Sequence, residues 1–336
     1  MADKTHKIRA IGLFSGGLDS ILAALVLKRA GIEVECISFE TPFFSASKAQ
    51  DAFGATSIPV HVRNITEPYL KMLRSPRFGY GKHMNPCLDC HALMLKIAGQ
   101  VMAERGFDFI FTGEVVGQRP MSQTKPSLRC TEKAAGLVGY VLRPLSANLL
   151  PVTIPEDKGW VNRDDLLFLS GRSRKPQIAL AKEYGISEYP APAGGCLLTD
   201  ATFSRRLKDL FLHQQEYLVR DFELLKTGRH FRLTEKHKIV VGRTQQDNHK
   251  IEELLFQKDG FEKGDVILKV SGFPGPVGLI PRGADKEIIY KGAAICAAYS
   301  KADKDTKTNV TVRTNGRTES VTVISHLPER YRQQMI

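Results

Sequence analysis

The chain has 336 residues, 42% hydrophobic and 25% charged, enough to bury the cores of two or three domains and not the composition of a disordered protein. No run of about eighteen apolar residues is present, and Met1 to Lys7 lacks the apolar segment of a signal peptide, so a cytoplasmic protein with no membrane partner is expected. A net charge of +12 points to a polyanionic partner, with nucleic acid first, and six cysteines in a reducing compartment read as metal-binding or catalytic rather than as a disulfide framework.

Short apolar runs at 8–14, 34–40, 58–65, 107–113 and 138–145 alternate with helix-compatible stretches at 19–30, 46–53, 67–74 and 90–105. That alternation predicts an α/β fold, a doubly wound and mainly parallel sheet whose ligands lie at the carboxyl ends of its strands. At the first such end stands Ser15-Gly16-Gly17-Leu18-Asp19-Ser20. Two glycines let the backbone approach a phosphate, the free amides of the next helix stabilise its charge, and Ser15 and Ser20 add hydroxyls. Asp19 is repulsive beside phosphates unless it holds Mg²⁺ or orients a substrate. No lysine follows the glycines, so this is not the common NTPase loop. It resembles the SGGxDS loop of the PP-loop ATP pyrophosphatases, with their adenine nucleotide alpha hydrolase-like fold. That resemblance implies MgATP bound at Ser15, Gly16, Gly17, Asp19 and Ser20, ATP split to AMP and diphosphate, and a carbonyl oxygen adenylated. It also sets the segment after the second strand against adenine, with Phe39 as a base contact; Phe43 and Phe44 read equally as core.

A basic loop from Arg74 to Pro86 opens into Cys87-Leu88-Asp89-Cys90 at a helix start. A helix N-terminus lowers a thiol's pKa, and the spacing also directs two sulfurs toward one metal. His91 is read as solvated or structural. The fourth strand leads into Thr112-Gly113-Glu114, Gln118 and Ser122-Gln123-Thr124, and the fifth into Leu142-Arg143-Pro144-Leu145. These segments resemble the tRNA 4-thiouridine synthetases of the same family, which implies nucleotide or uridine contact near Gly113 and Gln118. A helix over 174–184 follows, and then a Pro- and Gly-rich loop presents Cys196.

Some tRNA thiolases of the resembled family hold a [4Fe-4S] cluster on a CxxC and one distant cysteine. The resemblance thus implies Cys87, Cys90 and Cys196 as metal ligands and, with Asp19, as the catalytic set. The same cysteines could instead carry a persulfide and resolve it by a transient disulfide. Cys36, Cys130 and Cys296 have no partner at ligand spacing. The CxxC context is also similar to the tRNA 2-thiouridine synthetases, which leaves the thiolated oxygen open. The expected function is ATP-dependent thiolation of a tRNA uridine, with tRNA and a sulfur donor (sulfide or a cysteine desulfurase) as partners. Two other readings stand beside it, a small-molecule amide or C–N ligase and an RNA-binding adaptor with a vestigial nucleotide site.

The chain leaves no stretch before Ile8 for the N-terminal RNA-binding domain of the 4-thiouridine branch. Phe203 to Lys226 reads as one long helical linker, placing a first domain at 1–200, the linker at 201–229 and a C-terminal α+β domain at 230–336. The last part resembles the NFACT-R module (domain of unknown function 814) through Gly242-Arg243, Phe273-Pro274-Gly275-Pro276 and Ala297-Ala298-Tyr299-Ser300. From residue 201 onward 24 Lys and Arg face 17 Asp and Glu, an excess suited to phosphate contacts, and the resemblance implies that this module grips RNA.

Overall fold

A computed structural model describes residues 7–189, 196–256, 264–314 and 317–336. The chain forms two compact units, one up to Thr199 and one from Asp200 onward.

In the first unit β1 (Arg9–Leu13), α1 (Leu18–Arg29), β2 (Glu33–Glu40), α2 (Ser47–Thr56), β3 (Val60–Asn64), α3 (Thr66–Arg74), α4 (Cys87–Arg105), β4 (Phe109–Thr112), α5 (Lys125–Ala135) and β5 (Val141–Leu142) succeed one another. The short α6 (Ile154–Asp157) and α7 (Lys175–Glu183) complete it. All strand pairs are parallel, in the order β3-β2-β1-β4-β5. The chain winds outward from β1 through β2 to β3 and then restarts at β4 on the other side, so the strand order reverses between β1 and β4. A crevice opens at such a reversal, at the carboxyl ends of the strands. Helix α1 is apolar on most of its surface and buries eight of its twelve residues, as the central helix of a doubly wound fold must. β3 and β5 are the two edges, β3 mostly exposed and β5 only two residues long.

The second unit begins with α8 (Ala201–His213), capped by Asp200, whose carboxylate accepts the Phe203 amide at 2.7 Å. The long helix expected over 203–226 is in fact two helices, α8 and α9 (Val219–Leu225). Between them Gln214 is extended, its amide nitrogen bonded to the Glu216 carbonyl and to Asp221, and Tyr217 packs between Phe211 and Phe222. These side-chain bonds and ring contacts replace the helical ladder. Then come β6 (Arg229–Arg232), β7 (Lys238–Val241), α10 (Gln245–Phe256), β8 (Val266–Val270), β9 (Val277–Ile280), α11 (Lys286–Ala298), β10 (Lys307–Thr314) and β11 (Arg317–Ile324). They build an antiparallel sheet in the order β11-β10-β8-β9-β7-β6. Alternation along β7 sends Ile239 and Val241 into the α11 core and Val240 into the α10 core. Among the described residues no helix is long and apolar enough to cross a membrane.

Candidate active site

β1 ends at Leu13, and Phe14 to Gly17 turn the chain into α1. Gly16 has φ +72°, and a Cβ there would sit 2.2 Å from the Lys48 carbonyl oxygen, so only glycine closes this turn. Gly17 caps α1 with no side-chain bond, which leaves first-turn amides available to a ligand. Ser20 donates to the Gly17 carbonyl at 2.8 Å, and the Ser15 hydroxyl accepts the Gly17 amide at 3.3 Å. The result is an anion site at the end of the central strand, beside the sheet's reversal.

Asp19 faces this site from the first turn of α1. Its Oδ2 accepts from the Gln118 side-chain amide at 3.0 Å, while its buried Oδ1 has no hydrogen-bond partner among the described residues. A buried carboxylate oxygen left unpaired is costly, and a hard oxygen donor beside phosphate-binding amides suits Mg²⁺. Gly113 brings the end of β4 onto the same turn. A Cβ at 113 would meet the Asp19 carbonyl group and the Ser20 nitrogen at 2.6 Å, so the glycine is required by helix packing.

The stretch after β4 is held by a buried ion cluster. Glu114 accepts from Arg143 Nε and from the Thr112 hydroxyl, both at 3.0 Å, and lies 2.9 Å from His91 Nδ1. Arg143 also binds Glu132. Burial alone would raise the Glu114 carboxyl, but the Arg143 charge and the His91 bond outweigh it and hold the carboxyl at about 2. The Thr-Gly-Glu motif, whose strand end was expected to contact a nucleotide or uridine, and the Leu-Arg-Pro motif therefore meet each other in a buried strut, and His91 is structural.

That strut fixes α4. Because His91 reaches Glu114, the start of α4 stands at the carboxyl edge of the sheet, where the Ser15–Ser20 loop also lies. Asp89 accepts the Arg77 and Phe78 amides, each at 2.9 Å, and Asn85 donates to Cys87 Sγ at 3.3 Å, folding the basic loop against the cysteines. Burial pushes the Cys90 thiol up to about 12; a hydrogen bond from the Tyr69 phenol opposes this, and the charges of Cys196, Cys87 and Asp89 add to it. Burial likewise raises Cys196, which also feels Cys87 and the opposing positive charge of Arg119. The three thiols thus share one electrostatic neighbourhood, and Arg119 adjoins the Gln118 that holds Asp19.

With Asp89 bonded to backbone amides and His91 to Glu114, the donors left in this neighbourhood are sulfur. In kind, three thiolates fit an iron–sulfur cluster. In position, no three His, Cys, Asp or Glu side chains converge as a metal centre among the described residues. Residues 190–195, the Pro- and Gly-rich approach to Cys196, lie outside the described residues.

The loop residues Ser15, Gly16, Gly17, Asp19 and Ser20 lie together with Gly113 and Gln118. Phe39, near the carboxyl end of β2, is buried, 6% exposed. Phe43 is buried too, and both it and Phe44 pack on Tyr69, with ring centres 5.6 and 5.4 Å apart. Tyr69 was not legible as a site residue, since a lone tyrosine on a nine-residue amphipathic helix reads as core. Arg119 and Glu114 carried no separate signal either. Cys36 and Cys296 are core residues, fully buried, with the Cys296 thiol pushed up to about 12 by burial.

Residues 6–148 match the family described as Thiamine biosynthesis protein (ThiI), and residues 228–335 match the NFACT protein RNA binding domain. Over 149 residues the chain is 30% identical to a "Probable tRNA sulfurtransferase" of Thermoanaerobacter sp. (strain X514), spanning 41% of this chain and 36% of that protein. It is also 30% identical over 151 residues to a "tRNA sulfurtransferase" of Desulfurococcus amylolyticus, spanning 41% of this chain and 29% of that one. The chain thus covers about a third of the length of these curated relatives. A solved 4-thiouridine synthetase–RNA complex with bound ATP aligns over 53% of this chain and 41% of that chain, at 24% identity and TM-score 0.36. The first matched stretch holds the glycine loop, the CxxC and the buried strut, whereas Cys196 lies between the two matches. The chain therefore joins a domain of the ThiI family, over residues 6–148, to a domain of the NFACT protein RNA binding family over residues 228–335.

Proposed function

We propose that the chain is an ATP-dependent tRNA sulfurtransferase that converts a uridine to a thiouridine, with the 4-position as the first expectation and the 2-position as the variant. The observation that carries this reading is the meeting, at one edge of one sheet, of an unpaired Asp19 oxygen beside a glycine-built anion loop and three coupled thiols. A small-molecule ligase needs the first feature and has no use for the second. The curated relatives named tRNA sulfurtransferases and the second domain's family description support RNA as the substrate.

In this mechanism the amides of Gly16, Gly17 and the first turn of α1 would hold the ATP phosphates, and Asp19, steadied by Gln118, would hold Mg²⁺, which when bound supplies positive charge against the phosphates. The uracil carbonyl oxygen attacks the α-phosphorus, forming an O–P bond and expelling diphosphate. Sulfur then attacks the activated ring carbon, the C–O bond breaks, and AMP leaves with the oxygen. Arg119, positive and near Cys196, favours the thiolate there. Cys87, Cys90 and Cys196 would hold a [4Fe-4S] cluster; when bound, it supplies an iron without a protein ligand on which hydrosulfide can be retained. A second route uses Cys87, Cys90 and Cys196 alone. There a cysteine persulfide attacks the ring carbon, a second cysteine takes the inner sulfur in a disulfide, and an external dithiol must reduce that disulfide before the next turnover. The sulfur would come from sulfide on the cluster route and from the persulfide of a cysteine desulfurase on the cysteine route, and the work would be cytoplasmic.

The test is anaerobic incubation with ATP, Mg²⁺, unmodified tRNA and either sulfide or a cysteine desulfurase with cysteine and a dithiol, followed by mass spectrometry of the nucleosides. A thiouridine that needs ATP and Cys196 is expected, and its retention time against both standards names the atom. Iron content and the sulfur source that supports turnover separate the two sulfur routes, and Cys196→Ser should abolish thiolation on either. ATP-dependent diphosphate release by the intact protein, with no thionucleoside formed from either sulfur source, would transfer the site to ligase chemistry.

A further inference from the structure

The second unit contains a cavity of about 240 Å³ between the end of α8, the β6–β7 hairpin and the residues after β9. His213, Arg232, Lys236, His237, Lys238 and Arg282 line it, and no acidic residue does. The two guanidinium groups are held from behind, Arg232 by Asp209 and Arg282 by Asp221 at 2.8 Å. Lys238 is different: it is 7% exposed, lines the cavity, and has no hydrogen-bond or ion-pair partner among the described residues. It is also the cross-strand partner of Arg232. Like charges directly opposite on neighbouring strands destabilise a hairpin, and a desolvated ammonium without a bonded counter-ion adds to that cost.

We propose that this cavity is an anion site that takes a phosphate group, from a nucleotide or from RNA. A phosphate supplies the negative oxygens that Lys238 lacks, between two pre-oriented guanidinium forks. The volume falls below the roughly 300 Å³ at which pockets begin to enclose drug-sized ligands, so it suits a phosphoryl group with its base and sugar outside. Burial lowers the Lys238 ammonium to about 8, and the Asp221 and Asp209 charges oppose that; it therefore stays largely protonated at neutral pH. The wall from α8 precedes the matched stretch 228–335, so the site is not a property of that domain alone. The inference stands independently of the sulfur chemistry.

The full chain would be titrated with inorganic phosphate at constant ionic strength, read by thermal unfolding, and with short RNAs carrying a 5′-phosphate or a 5′-hydroxyl. Lys238→Met is expected to weaken phosphate binding about tenfold and to leave ATP–diphosphate exchange at the first unit's site unchanged. The unliganded variant should be at least as stable as the parent, an outcome opposite to that of a structural lysine. Lys236→Ala, at the exposed mouth, should weaken phosphate about threefold and serves if Lys238→Met fails to fold. Loss confined to the 5′-phosphorylated RNA assigns a terminal phosphate, loss with both RNAs an internal phosphodiester, and loss with free phosphate alone a nucleotide. Unchanged phosphate binding at matched ionic strength in a folded Lys238→Met, or in Lys236→Ala where only that variant folds, overturns the proposal.

Discussion

Replacing Glu114 by Gln should remove the buried strut that joins β4, α4 and β5, and the loss should depend on pH in one direction. In the folded chain the Glu114 carboxyl is held at about 2, against an ordinary 4.5. A carboxyl depressed on folding contributes stability that is complete above its unfolded pKa and disappears as pH falls toward its folded one. The gap corresponds to about 3 kcal/mol at pH 7, of which about 2 kcal/mol is gone by pH 3. Removing one partner of a buried ion pair costs about 3 to 5 kcal/mol, so Glu114→Gln should lie that far below the parent at pH 7. Urea unfolding of both proteins between pH 3 and 7 measures the difference and cancels the titration of the other carboxylates. The gap should be flat from pH 7 to about 5 and narrow below that. A gap that stays constant down to pH 3, or widens, would refute the assignment of the Arg143 and His91 contacts as the source of Glu114's stabilising charge.

Gly113→Ala would press a methyl group onto the backbone of Asp19 and Ser20; a loss of about 1 to 3 kcal/mol in urea midpoint, with weaker ATP binding by calorimetry, is expected. Asp19→Asn should reduce ATP–diphosphate exchange at least a hundredfold, while Gln118→Ala, which frees rather than removes the carboxylate, should reduce it by about tenfold. Tyr69→Phe deletes the donor to Cys90 and should slow alkylation of that thiol in the metal-free protein, as followed by peptide mass spectrometry. In the second unit Asp265→Asn removes the buried carboxylate charge that Arg220 bonds, 2.5 Å away in the parent, and should lower stability by about 3 to 5 kcal/mol in thermal or urea unfolding.

The parallel sheet was legible because its strands lie within short apolar runs separated by helix-compatible stretches, and this alternation marks parallel pairing even where the edge strand β3 is itself mostly exposed. The anion loop was legible because two glycines between a strand and a helix have few other uses. The α8–α9 break was not, since it depends on Gln214 and Tyr217 bonding and packing to residues that a helical wheel treats as a continuing face. α5 was missed because its apolar face is thin; its boundaries are instead set by the Thr124 cap and by Gly136 at φ +73°. The role of Glu114 was not legible, because a sequence motif records which residues recur together and not whether they face a ligand or each other. Its partners are 23 and 29 residues away, and only the fold brings them within hydrogen-bond reach.

The two edges of the first unit's sheet bear on how the protein behaves at high concentration. A bare strand edge is a template on which another copy can add a strand and begin an aggregate. Here one edge, β5, offers two residues, too few to nucleate pairing. The other, β3, sets a charged Arg63 and an exposed His61 tied to Glu35 along its outer run. Any copy approaching edge-on would have to desolvate those groups before forming its first ladder bond. The sheet is thereby protected from runaway polymerisation while its carboxyl end stays open.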